Sequence, residues 1–139
     1  SLTLTILIFS VAAKESKKRS QALFPVKIAE KYGYINKSGR LVVAPKFDMA
    51  APFSEGLAPV VVNSKWGYVD QTGKLVVEPQ YVFADNFNEG LALVQTENEM
   101  FFIDKMGKAA FDFKDFRGSG HFAEGLAPVF HKGDLGYID

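Results

Sequence analysis

The chain has 139 residues, 47% of them apolar and 23% charged, and both the composition and the length fit one globular domain. Sixteen basic side chains balance sixteen acidic ones, so the overall charge gives no sign of the basic face that nucleic-acid binding needs. The absence of cysteine excludes disulfides, thiolate nucleophiles and cysteine metal sites.

Residues 1–13 read SLTLTILIFSVAA. Two readings compete for this apolar segment. One is the remains of a secretory signal, with small residues at Ala12 and Ala13 where a peptidase could cut. The other is a β-strand, with Leu2, Leu4, Ile6 and Ile8 on one face. The stretch is too short to span a bilayer as a helix. Residues 14–23 follow as a basic linker, rich in lysine through KESKKR.

Residues 24–139 are assigned to the folded body. From residue 32 the sequence repeats. YGYINKSG (32–39) matches WGYVDQTG (66–73) at an offset of 34, and MFFIDKMG (100–107) follows at the same offset. FSEGLAPV (53–60), FNEGLALV (87–94) and FAEGLAPV (122–129) also match, with one extra residue in the third copy within AAFDFKDF. The repeats therefore run about 32–65, 66–99 and 100–134, with a partial fourth at 135–139. A fixed period of this kind means a modular array.

The unit lacks helical periodicity. LVVAP, GYVD and LAPVVV are short β-branched runs punctuated by glycine and proline, so each unit should supply three antiparallel strands. Strand one holds the aromatic-Gly-Tyr segment. Its turn begins at Asn36, Asp70 or Asp104, whose side chain accepts from the turn backbone, and ends at Gly39, Gly73 or Gly107. Strand two ends at Pro45 or Pro79, and strand three starts at the GLA segment. The intervening F-x-x-A-x-x-F loop (47–53, and 81–87 starting with Tyr) has a spacing of three, which predicts a single helical turn plugging the end of the layer. The fold class is all-β, a tandem array of about three three-stranded units. The strand at 135–139 should either complete the first unit's sheet or continue the array. An open end leaves a strand edge, through which homo-oligomers could form.

These in-phase motifs resemble WG repeats, also called KWG repeats, over residues 32–139. The resemblance implies β-hairpin arrays, mostly bacterial, in exported or multidomain proteins with binding roles. It departs at Tyr32, Met100 and Leu135, which stand where Trp66 does, and at Phe101, which replaces the glycine of Gly33, Gly67 and Gly136. The third unit should therefore pack differently.

Each polar candidate has a structural explanation. Glu55, Glu89 and Glu124 recur once per unit, whereas an active site combines unlike residues at one point. They are expected to accept backbone N–H bonds around the Gly56, Gly90 and Gly125 turns. His121 and His131 fall short of the usual zinc ligand count, and a lone D-x-x-G turn does not converge enough oxygens for calcium. No catalytic residue, metal or cofactor is assigned. The aromatics Tyr34, Trp66, Tyr68 and Tyr137 are candidates for ligand contact, with core packing as the favoured alternative for the tyrosines. The reading that follows is a non-catalytic binding or scaffolding module, outside the cytoplasm in the periplasm or at the cell surface. Its partner would be a protein, a peptide or a cell-envelope glycan, not nucleic acid, and it would not associate with the membrane once a signal is removed. The alternatives are a lipid-interacting envelope component and an enzyme with a site between repeats.

Overall fold

The computed structural model describes residues 21–110, 116–118, 124, 126–131 and 134–138. Every regular element among them is a β-strand. The first sheet is β1 (Leu23–Ile28), β2 (Lys31–Asn36) and β3 (Leu41–Phe47), in that order. The next holds β4 (Met49–Ala50), β5 (Leu57–Val62), β6 (Lys65–Asp70) and β7 (Leu75–Tyr81), also in chain order. β8 (Phe83–Ala84), β9 (Ala92–Gln95) and β10 (Met100–Ile103) form a third, with β9 central. β11 (Phe116–Gly118), β12 (Ala127–His131) and β13 (Asp134–Ile138) form the last, with β12 central. All pairings are antiparallel.

The sheets are out of phase with the sequence motif. The first two sheets join strand three of one unit (β5, or its equivalent β1) to strands one and two of the next, and the last two join strand three (β9 or β12) to strand one of the next (β10 or β13). The reason is the length of the connections. Val62 pairs with Lys65 across the two-residue loop Asn63-Ser64, and both loop residues have positive φ. Such a loop forces hairpin pairing between its flanking strands. The Glu55-Gly56 turn does the same between Ser54 and Leu57, with φ of 51° and 88°.

Two expectations are corrected. First, the linker reading of residues 14–23 runs one residue into the fold, because β1 begins at Leu23, whose side chain is buried. β1 pairs with β2 in the register that β5 uses with β6, so the first sheet is completed by Leu23–Ile28. The strand near 135–139 does not serve it: β13 pairs with β12. Second, the F-x-x-A-x-x-F segments are not helical. Asp48 and Ala51 N–H donate to the Val61 and Pro59 carbonyls, and Val82 and Asp85 N–H to those of Gln95 and Leu93, which draws β4 and β8 onto β5 and β9. The side chains at the spacing of three still turn inward: Phe47 is buried with Ala50 and Phe53 packed beside it, and Tyr81, Ala84 and Phe87 are all buried. The third copy's Ser119 and Phe122 lie outside the described residues. In unit three the described part of the second strand pairs through the Ile103–Ala109 bridge, the counterpart of Val69–Leu75, and the remainder lies outside the described residues.

The core is written twice. One cluster joins Leu23, Tyr34, Val43, Phe47, Ala58, Val60 and Val69; the other joins Leu57, Tyr68, Val77, Tyr81, Ala92, Val94 and Ile103. Each residue of the first lies 34 positions before its counterpart in the second. Each cluster therefore closes between layers, when the face of one sheet bearing Tyr, Val and an aromatic residue meets the opposite face of the next sheet.

Candidate recognition surface

Strand one carries a glycine because the second strand bulges against it. A Cβ on Gly33 would stand 2.3 Å from the Val43 carbonyl oxygen and 2.9 Å from Pro45 N; on Gly67 it would stand 2.5 Å from the Val77 oxygen and 2.8 Å from Pro79 N. The register shifts between Tyr32 and Ile35, and between Trp66 and Val69, mark the same bulges. Phe101 brings a Cβ to this position, and the strand-two residues that would face it lie outside the described residues. Its ring packs against Tyr81 at 6.3 Å between centroids, edge to face.

The turn acceptors behave as the sequence implies. Asn36 Oδ1 accepts from Ser38 N (3.0 Å), Ser38 Oγ (2.7 Å) and Arg40 N (3.0 Å). Asp70 Oδ1 accepts from Thr72 N (2.8 Å), Thr72 Oγ1 (2.6 Å) and Lys74 N (3.2 Å). Asp104 accepts from Met106 N and Lys108 N. Burial works against ionisation of Asp70, but these donors outweigh it and hold its carboxyl below the usual value. Gly73 and Gly107, at φ near 80°, let each turn settle on the preceding layer: a Cβ on Gly73 would meet Val43 Cγ1 at 2.5 Å, and one on Gly107 both Val77 methyls at 3.1 Å. Lys46 Nζ donates to the Gly73 carbonyl at 2.9 Å and fixes that contact.

Glu55 links layers. Its Oε2 accepts from Gly90 N at 2.9 Å, in the equivalent turn of the next unit, and lies 3.3 Å from Lys105 Nζ. Burial raises its pKa, the Gly90 N–H and Lys105 lower it, and the net shift is downward. Ser54 Oγ donates across the same boundary to the Phe87 carbonyl at 2.6 Å. Glu89 adopts the same positive φ as Glu55, and so does Glu124. Gly125 lies outside the described residues, as do the surroundings of Tyr137 and Gly136.

Tyr34 and Tyr68 are corrected as contact candidates, since both are fully buried. Their hydroxyls donate inward, to the Ala51 carbonyl at 2.8 Å and the Asp85 carbonyl at 2.7 Å, and their rings pack on Phe53 and Phe87. Burial pushes both phenols well above their usual pKa. Trp66 is half-buried and packs against the second core cluster. The residues that do face solvent are different ones. Val42 on β3 and Val76 on β7 are 41% and 40% exposed, and Met49 on β4 and Phe83 on β8 are 52% and 41% exposed. Each pair is 34 residues apart. Sequence reasoning missed them because LVV reads as one apolar run, and only the bulge decides which valine turns out.

The family model for a WG-containing repeat matches residues 32–66 and 66–99. No curated protein and no solved structure matches the chain. The shared glycine, its bulged partner strand and the Asx-type turn recur in both matched segments, and residues 32–99 are two tandem repeats of the WG repeat family.

Proposed function

We propose that this chain is a non-catalytic binding or scaffolding module that recognises an extended peptide or protein segment. One observation carries the reading: solvent-facing apolar side chains recur at the same two positions of successive units, on strands at sheet edges. A single exposed valine on a surface needs no explanation. Repetition at the unit period is what a ligand with regularly spaced apolar side chains could use, and edge strands add backbone groups for it to pair with. The repeated positions favour peptide over glycan. Three of the four are aliphatic or thioether side chains, whereas sugar rings are gripped by flat aromatic faces, and the tyrosines that could have offered them are buried.

The setting we propose is a bacterial exported or cell-envelope protein, on the strength of the apolar segment at residues 1–13 and the family's usual contexts. A lipid-interacting role is the second reading, supported by the same exposed apolar side chains. The test is a peptide and glycan array probed with the folded protein, followed by titration of any hit. Saturable peptide binding lost in Val76→Asp, with unfolding unchanged, supports recognition on this surface. Binding that survives Val42→Asp and Val76→Asp together rejects the surface, and binding to vesicles alone favours the lipid reading.

A further inference from the structure

Among the described residues, the first sheet leaves open a face that is sealed in the second sheet. On the second sheet, Ala58, Val60, Val62, Val69 and Leu75 pack into or against the core cluster of the preceding layer. Their counterparts 34 residues earlier are Phe24, Val26, Ile28, Ile35 and Leu41. The antiparallel register puts these on one face, with Phe24 opposite Ile35 and Ile35 opposite Leu41. Among the described residues nothing covers them: Phe24, Ile28 and Leu41 are 47%, 46% and 43% exposed, and Val26 and Ile35 are partly exposed. Val69 and Ile103, the counterparts of Ile35, are fully buried. The turn tells the same story. Gly73 and Gly107 rest on valines of the layer before, whereas Gly39 has nothing within 4 Å of where a Cβ would stand.

We propose that this face is a homodimer interface, with two copies of the chain meeting face to face about a two-fold axis. Another repeat unit stacked in the internal geometry does not fit. Phe24 stands where the sealed layers have Ala58 and Ala92, which are 0% and 1% exposed and leave no room for a ring. The same ring blocks head-to-tail stacking of a second copy in the internal geometry. The face can meet its own image without like-charge cost. Its five apolar residues carry no charge, and Lys31, which pairs with Ile28, is neutralised by Asp48. Pairing through the β1 edge is a poorer route, because Pro25 lacks the N–H that a strand partner needs. Burying two copies of a surface that the fold already uses for layer-to-layer packing gives an isologous, closed pair.

The 139-residue chain is examined by sedimentation velocity and equilibrium across a wide concentration range. The proposal expects a monomer–dimer equilibrium that goes no further than the dimer. Phe24→Asp and, separately, Ile28→Asp should weaken it roughly tenfold or more, from the lost apolar burial, while the unfolding midpoint of the monomer stays within that of a surface change. Met49→Asp, on a different strand, should leave the dimer constant unchanged and serves as the matched control. The chain has no native cysteine, so Val26→Cys supplies a single thiol, and its labelling should be slowed in proportion to the dimer fraction. A wild type that stays monomeric to its solubility limit overturns the proposal, and this would be the result if residues 1–20 or another protein covers the face. Association that grows beyond dimers, or that ignores Phe24→Asp and Ile28→Asp, overturns it as well. None of these outcomes depends on whether the chain binds peptides.

Discussion

Gly67→Ala is expected to be among the most damaging single-methyl additions in this protein. The added Cβ would lie 2.5 Å from the Val77 carbonyl oxygen and 2.8 Å from Pro79 N, both main-chain atoms that no rotamer change can move. Relief requires β6 and β7 to separate or the bulge to straighten, which disturbs the inward placement of Val77 and Tyr81. Overpacking of this type costs about 1–3 kcal/mol, and obstruction by backbone places it near the upper end. For a chain of this size that is a fall in Tm of roughly 6–12 °C. Gly56→Ala is the matched control. Its φ is 88° but nothing lies within 4 Å of a Cβ, so it meets conformational strain alone, about 1 kcal/mol. Trp66, the only tryptophan and the neighbour of Gly67, reports unfolding by fluorescence in urea. An unchanged m-value with a lower midpoint for Gly67→Ala than for Gly56→Ala supports the steric account. Equal losses, or a smaller loss for Gly67→Ala, would refute it.

Other substitutions test other links. Tyr68→Phe removes the bond to the Asp85 carbonyl and should cost about 1 kcal/mol in urea unfolding; Tyr34→Phe should cost a similar amount, since its hydroxyl does the same for Ala51. Asp70→Asn should be nearly neutral at pH 7, because Asn36 makes the same three bonds in the first unit. The depressed Asp70 carboxyl contributes stability that is full above its ordinary value of 3.8 and is lost as pH falls through the lower folded value. The variant should therefore lose less stability than the wild type between pH 5 and pH 2 in acid titrations followed by Trp66 fluorescence, on the order of the usual linkage effect. Glu55→Gln should cost less than about 1 kcal/mol, because the ion pair with Lys105 is partly exposed and solvent-screened. A salt titration checks it: the difference from wild type should shrink as ionic strength rises.

Much of the architecture is legible in the residues. Repetition at 34 fixes the equivalence of Tyr34 with Tyr68 and Val43 with Val77, and the turn chemistry at Asn36, Asp70 and Asp104 follows from the Asx side chain and the glycine three residues on. β1 was hidden although Leu23, Pro25 and Val26 repeat Leu57, Pro59 and Val60. Lys27 breaks the apolar run, Phe24 stands where the motif has Ala58, and Gln21-Ala22 replaces the Glu-Gly turn that marks strand three elsewhere. The spacing of Phe47, Ala50 and Phe53 correctly selects inward-facing side chains. It does not distinguish a helical turn from a kinked strand, because the choice rests on whether Asp48 and Ala51 find acceptors on β5. The solvent-facing set was the least legible. A bulge shifts the alternation within LVVAP, so the outward placement of Val42 and Val76 depends on a main-chain irregularity set by Gly33 and Gly67.

The most direct test of the recognition reading is a calorimetric titration of the 139-residue chain with the best peptide from an array. It should be run with wild type, Val42→Asp, Val76→Asp and the double variant. The account predicts saturable binding in which each single change weakens affinity by roughly tenfold, from loss of one buried aliphatic contact. The double change should weaken it by about the product of the two, as expected when one ligand runs across both units. A peptide that binds all four proteins alike would contradict the claim that the periodic edge residues form the site.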